Sequence, residues 1–380
     1  MKISLSKLVA SICLLAASTV SHAGIPAVSL YPASDASTAC YRIPALLTLH
    51  DGTMLAFAEA RITSCADFGN VKIMVRRSTD HGTTWSTQQV AASYGTLQAD
   101  NAVPVEDTTD PNYPNGRIFL FYNTGNASEA SVRAGNGLRE QWYTTSEDGG
   151  VTWDAPVNIT AQTAKLSAAP YNNPADWRTL AMGPGHGLQT SSGRIFIAGN
   201  HSAGAPQSNY TDYVAYAFYS DDHGQTFNIV PDIAYPGSNE STAAQLSDGR
   251  VMMNSRDQSG ASKARVVSIT SDVNGNVFGT PYIDKTLIDP VAEGSLLAST
   301  VNGQPYLFFS NLANTTTRAD LTLRASSDNG QTWAKSLRIT GLSAGYSDIA
   351  VIDANNIGIL YEQSSIKFMK VPFSTLLGTP

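Results

Sequence analysis

An all-β fold made of repeated units is what this 380-residue sequence predicts, and two interleaved repeats predict it. The first is a box with serine, aspartate, glycine and an aromatic residue at fixed offsets. It reads "STDHGTTW" at 78–85, "SEDGGVTW" at 146–153, "SDDHGQTF" at 220–227 and "SSDNGQTW" at 326–333. The second is a turn followed by an apolar strand, as in "DGTMLAFA" (51–58), "NGRIFLFY" (115–122), "SGRIFIAG" (192–199) and "DGRVMMNS" (248–255). It returns at "NGQPYLFF" (302–309) and, degenerately, at "NNIGILYE" (355–362), giving six units of 53 to 77 residues. Short β-branched and aromatic runs at this period exclude a helical solenoid and predict a six-bladed β-propeller.

The elements follow in chain order. Residues 1–23 read as a signal peptide: Lys2 and Lys7, an apolar run from Leu8 to Val20, then Ser21-His22-Ala23. That run is shorter than the roughly 20 residues a membrane span needs. Residues 24–380 read as a single propeller domain that is exported, to the periplasm or beyond, and monomeric. The segment "AVSLYP" (27–32) supplies a strand that the last unit lacks and so closes the ring. Within a unit, strands A and B are joined by the Asp-Gly or Asn-Gly hairpin at a lower face. Strand C then descends to the box, so boxes and hairpins share that face. Ser and Asp of a box bond turn backbone, its Gly permits positive φ, and its Trp or Phe packs between strands. The boxes are therefore structural, and "SDVNGNVF" (271–278) fits a decayed one.

Chemistry belongs on the opposite face. Arg42 and Tyr346 lie ten residues before their turns, and Glu240 lies nine before its own. Arg61 and Arg256 follow their hairpins by nine and seven residues, Asp67 lies in the first B–C loop, and Arg318 opens a strand C. All seven are expected at the upper face. Any one of them alone reads as a surface or packing residue; the set in one register points to a site. Asp100 or Asn101, Tyr122, Trp177 and His186 are softer candidates for the same rim.

The net charge is −7, and −9 once Lys2 and Lys7 are removed. No basic run offsets it, which excludes nucleic acid as a partner. An anionic ligand would need a local cation cluster working against the global charge. Cys40 and Cys65 flank the first hairpin at similar heights, and in an oxidising compartment they fit a disulfide. No Cys/His spacing suggests zinc, and "EDTTDPNYPNG" (106–116) reads more simply as a hairpin connection than as a calcium loop. No metal or cofactor is expected.

"YRIP" at 41–44, the boxes, "GPGHG" at 183–187, "NES" at 239–241, "NSR" at 254–256, "RADL" at 318–321 and "YSD" at 346–348 together resemble a bacterial exo-α-sialidase. The resemblance implies that Arg42, Arg256 and Arg318 hold the substrate carboxylate. It implies Asp67 as acid/base, Tyr346 as nucleophile, Glu240 as the tyrosine's partner, and Arg61 as a further substrate contact. Asp100 would meet the N-acyl group. The substrates implied are sialylated glycans of glycoproteins, glycolipids or oligosaccharides. A tyrosine nucleophile is a recognised exception among glycoside hydrolases. A neutral phenol avoids the repulsion that a carboxylate would meet from the substrate's own anion. Glu240 would take its proton, the arginines would favour the phenolate, and two displacements would retain configuration. A trans-sialidase and a glycan-binding propeller without catalysis are the alternatives.

Overall fold

A computed structural model describes residues 20–21, 24–167 and 176–378. Most of the expected signal peptide lies outside these residues. Two short segments come first, β1 (Val20–Ser21) and β2 (Ala27–Tyr31). Then β3 (Cys40–Thr48), β4 (Met54–Arg61), β5 (Val71–Ser78) and β6 (Gln89–Ser93) form an antiparallel meander. A second meander runs through β7 (Gln98–Asp107), β8 (Arg117–Gly125), β9 (Arg139–Ser146) and β10 (Val157–Asn158). The third strand A is split into β11 (Trp177–Met182) and β12 (Leu188–Gln189), both pairing with β13 (Ile195–Ala203). That sheet ends in β14 (Tyr213–Ser220) and β15 (Asn228–Val230).

A further sheet comprises β16 (Ser238–Gln245), β17 (Val251–Asp257), β18 (Ala264–Ile269) and β19 (Tyr282–Ile288). The next comprises β20 (Gly294–Val301), β21 (Gln304–Leu312), β22 (Ala319–Ser326) and β23 (Lys335–Ser343), with β1 on its edge. The last contains β24 (Ser347–Asp353), β25 (Asn356–Glu362) and β26 (Ile366–Pro372). Its fourth strand is β2, antiparallel to β26, so the N-terminal segment completes the C-terminal sheet.

The six expected blades do not appear as six separate sheets. Val71 of β5 pairs in parallel with Gln98 of β7 and fuses the first two meanders into one eight-stranded sheet. Hydrogen bonding thus gives four sheets of four or five strands and one of eight. The fusion follows from the short β-bridge at Tyr94–Leu97, which returns the chain from β6 directly alongside β5.

Boxes and hairpins act where one sheet face meets the next. In the first box Ser78 Oγ donates to Asp80 Oδ1 (2.8 Å) and accepts from Gly82 N (2.9 Å). Asp80 also takes the Thr84 N–H and hydroxyl at 2.8 and 2.6 Å. Box aromatics reach the preceding meander: Trp85 meets Phe368 edge-on at 5.2 Å and Trp153 meets Phe57 at 6.0 Å. A Cβ on Gly82 would lie 2.5 Å from the Phe368 ring, so the box glycine is needed for close approach as well as for its φ of +79°. The core is accordingly a series of apolar clusters between neighbours, such as Leu46, Met54 and Ala56 against Leu360, Ile366 and Phe368.

Candidate active site

At the end opposite the boxes, the first strand of several meanders departs from regular register. The breaks fall between Arg42 and Ala45, Asp100 and Val103, Arg178 and Ala181, and Ser238 and Ser241. Ile43, Asn101 and Thr179 take φ values of 55°, 54° and 47° there. Such bulges re-aim side chains, and Arg42, Asp100 and Glu240 stand at these breaks. The N–H groups released from the ladder are recaptured by acids. Ile43 N donates to Glu362 Oε1 at 2.7 Å, and Asn101 N donates to Glu59 Oε1 at 3.0 Å.

Tyr346, 6% exposed, occupies the centre. Its phenol oxygen lies 2.7 and 2.9 Å from the two carboxylate oxygens of Glu240. Arg256 Nη1 donates to the same phenol oxygen at 2.7 Å and lies 2.6 Å from Glu240 Oε2. The guanidiniums of Arg42 and Arg318 sit 5.5 and 5.4 Å from the Tyr346 ring centroid. Three of the expected arginines therefore converge on one phenol. Arg256 is fixed from behind by Asn239 Oδ1 (2.9 Å), and Arg42 by Glu362 Oε2 (3.2 Å). Arg318 is exposed, with Nη2 donating to Val291 O at 2.9 Å, and it forms no ion pair among the described residues.

Asp67 is also at this end, its side chain 80% exposed. It accepts from Arg61 Nη1 at 2.7 Å and lies 3.8 Å from Arg42 Nη1. Partial burial would raise its pKa, but the charges of Arg61 and Arg42 win and hold it below the usual carboxylate range. The Cys40–Cys65 disulfide, with Cα atoms 5.2 Å apart, ties its loop to the start of the strand carrying Arg42.

Two expected substrate contacts are otherwise engaged. Arg61 is buried and bonds Glu59 Oε2 through Nε (3.0 Å) and Nη2 (2.9 Å), leaving Nη1 to Asp67 and Cys65 O. Its geometry is that of a strut for the Asp67 loop. Asp100 is buried, accepts from Gln98 Nε2 (2.6 Å) and pairs with Arg139; its Oδ1 has no partner among the described residues. Of the softer candidates, Trp177 stacks on His201 at 3.6 Å between centroids, and Tyr122 is buried in the core. His186 is paired with buried Asp348, Nδ1 to Oδ1 at 2.7 Å.

Burial raises the Tyr346 pKa most, Glu240 raises it further, and the opposing Arg256 and Arg318 do not compensate. The resting group is a phenol. Glu362 and Arg139 escaped sequence reading, although Glu362 stands at the end of a repeated B strand. On the opposite face Asp107, Asp110 and His223 approach one another, within the loop region weighed for calcium. Asp107 is already bonded by His223 (2.8 Å), Gln189 (2.6 Å) and Thr109, and Asp110 by Arg117, so the cluster reads as a hydrogen-bond network.

A family model described as a BNR repeat-like domain matches residues 52–359. The chain is 33% identical over 344 residues to a sialidase of Micromonospora viridifaciens, covering 85% of this chain and 50% of that protein. It is 30% identical over 364 residues to a sialidase of Bacteroides fragilis, covering 89% and 62%. It thus spans only about half to three-fifths of those relatives. Among solved structures, a Hadza microbial sialidase superposes with TM-score 0.81 at 28% identity, over 92% of this chain and 69% of that one. An intramolecular trans-sialidase of Ruminococcus gnavus superposes with TM-score 0.73 at 16% identity, over 92% and 98%, which shows the shared fold alone. By these matches the chain belongs to the BNR repeat-like domain family.

Proposed function

We propose that this chain hydrolyses terminal sialic acid from glycoconjugates with retention of configuration. The observation that carries the reading is the phenol of Tyr346, held between Glu240 and Arg256 and flanked by Arg42 and Arg318. A propeller of six blades is part of it, counting the eight-stranded sheet as two. Six apolar clusters, each shared by two neighbouring meanders, support that count. The segment preceding Gly24 would export the chain, and the rest would act as one domain. Among the described residues no helix is long and apolar enough to cross a membrane.

In the mechanism, Arg42, Arg256 and Arg318 receive the substrate carboxylate. Charge-assisted bonds from planar guanidiniums are about twice as strong as neutral ones and match the anion's geometry. Arg318 is the cation with no acid to displace. Tyr346 starts as a phenol, so attack on the anomeric carbon requires proton transfer to Glu240, already at hydrogen-bond distance. Asp67 protonates the departing glycosidic oxygen, then activates water for the second displacement. Its resting charge is favoured by Arg61 and Arg42. A substrate carboxylate drawing Arg42 away and excluding water would raise its proton affinity when the acid is needed.

The test is release of fluorophore from a 4-methylumbelliferyl α-sialoside by the purified chain, with product analysis. Tyr346→Phe should lower kcat by roughly 10³-fold or more, as loss of a nucleophile does. Asp67→Ala should cost less on this activated leaving group than on a sialyl-lactose. Free sialic acid as sole product supports the hydrolase; sialyl transfer to added lactose would support a trans-sialidase. Binding of sialic acid without turnover would leave only a glycan-binding propeller.

A further inference from the structure

Behind the tyrosine lies a carboxyl group that the mechanism above does not use. Glu293, immediately before β20, is 4% exposed. One oxygen accepts the backbone N–H of Ser347 at 3.1 Å, in the peptide unit that follows Tyr346. Its other oxygen, Oε1, is buried and has no hydrogen-bond partner among the described residues. The charged neighbours do not favour an anion there. From β16 comes Glu240 and from β24 comes Asp348, both negative neighbours of Glu293, with His186 already bonded to Asp348. Arg256 on β17 is engaged with Glu240 and Tyr346. Arg265 on β18 attracts Glu293. Its guanidinium is bonded to Asn254 (2.7 Å) and Ala292 O (2.5 Å), and lies 3.4 Å from Asp289.

We propose that Glu293 is a positioning residue that fixes Tyr346 through Ser347, and that it does so as a neutral carboxylic acid. This rests on the sialidase reading for its effect on turnover. A buried, unpaired carboxylate is costly, whereas a protonated one still offers its carbonyl oxygen to Ser347 N. Burial and the charges of Asp348 and Glu240 push its pKa well above the usual carboxylate range, consistent with that state. Neutrality also matters to Tyr346. A second negative charge behind the phenol would disfavour the phenolate that attacks and would repel an anionic substrate. Ionisation of Glu293 should therefore set the alkaline edge of activity.

Glu293→Gln keeps the acceptor and cannot ionise; Glu293→Ala removes the acceptor. On the methylumbelliferyl sialoside, Glu293→Gln should keep kcat within about threefold at the parent's optimum and move the alkaline limb up by about one pH unit. Glu293→Ala should lose about 10-fold or more in kcat with little change in KM, as misplacement of a reacting group does. Thermal melting gives a readout that needs no turnover. A carboxyl whose folded pKa is raised destabilises the fold progressively as pH rises above its unfolded value of about 4.3. The Tm of Glu293→Gln should match the parent near pH 4 and exceed it increasingly toward pH 7. A Tm difference that is flat with pH, or superimposable alkaline limbs, would overturn the neutral-acid assignment. Equal loss of kcat in Gln and Ala variants would overturn the positioning role. If the parent releases no fluorophore, the sialidase reading fails, and the melting comparison still decides the state of Glu293.

Discussion

Arg42, Arg256 and Arg318 surround one phenol, yet the chain holds each differently. Arg256 is buried between Asn239 and Glu240, Arg42 leans on Glu362, and Arg318 has only a carbonyl. Losing a side chain that is already compensated by acids leaves those acids unpaired; losing Arg318 leaves none. Arg318→Ala should therefore raise KM by about 10- to 100-fold, the worth of a charge-assisted contact, with Tm almost unchanged. Arg256→Ala should lower Tm as well, because Glu240 is left partly buried beside Tyr346 without its cation. Steady-state kinetics with melting curves on both variants check the contrast, and an equal Tm loss would contradict it. Glu362 is the instructive omission from sequence reading. It serves both Arg42 Nη2 and the N–H of Ile43, a β-branched residue at φ 55°. No local signal marks Ile as a left-handed residue, since sterics disfavour it there. The acid that stabilises it comes from 319 residues away.

At the scale of elements, the repeated box and the bulged first strand divide the labour. Four boxes use the same bonds, with Ser to Asp at 2.8, 2.9, 2.8 and 2.7 Å in chain order. That regularity is why the boxes were legible: each is a local motif whose partners lie within a few residues. Hairpin positions then fixed which end of each strand Arg42, Glu240 and Tyr346 occupy. The bulges were not legible, because a register break depends on the neighbouring strand and on acids such as Glu59 from another meander. Fusion of the first two sheets at Val71 and Gln98 was missed for the same reason. Box aspartates predict a pH effect. In Asp148, hydrogen bonds from Thr152 and Ser146 outweigh burial and lower the pKa to about 2. A depressed carboxyl contributes stability that is present above its unfolded value near 3.9 and is lost as pH falls toward 2. Asp148→Asn should thus lower Tm at pH 7 and converge with the parent near pH 2 to 3, with KM at neutral pH unchanged. A KM shift would mean that the boxes reach the site.

For the whole molecule the decisive contact is between its two ends. Strand β2 pairs with β26 from Ala27↔Met369 to Tyr31↔Ile366, so the last sheet is completed by an N-terminal segment. Tyr31 is fully buried, and its hydroxyl donates to Ala56 O in the next meander at 2.7 Å. Leu30 is buried in the same cluster. The sheet thus closed carries Ser347, next to Tyr346, and Glu362 side by side at the same end, with Glu362 N donating to Tyr346 O at 3.0 Å, so closure and catalysis share a frame. Removing residues 24–32 would expose the edge of β26 and forfeit two buried side chains worth about 1.5 to 3 kcal/mol each, before ladder bonds are counted. The truncated chain should melt at a much lower temperature, and activity should fall in step with the folded fraction. An extended peptide can complete an open sheet edge through main-chain bonds while its side chains fill the vacated sites. A synthetic peptide of residues 24–32 added in trans should therefore raise the Tm of the truncated chain and restore part of its turnover, whereas the same peptide with Tyr31→Ser should not. A truncated chain that melts with the parent would show that the ring is held closed without its N-terminal strand.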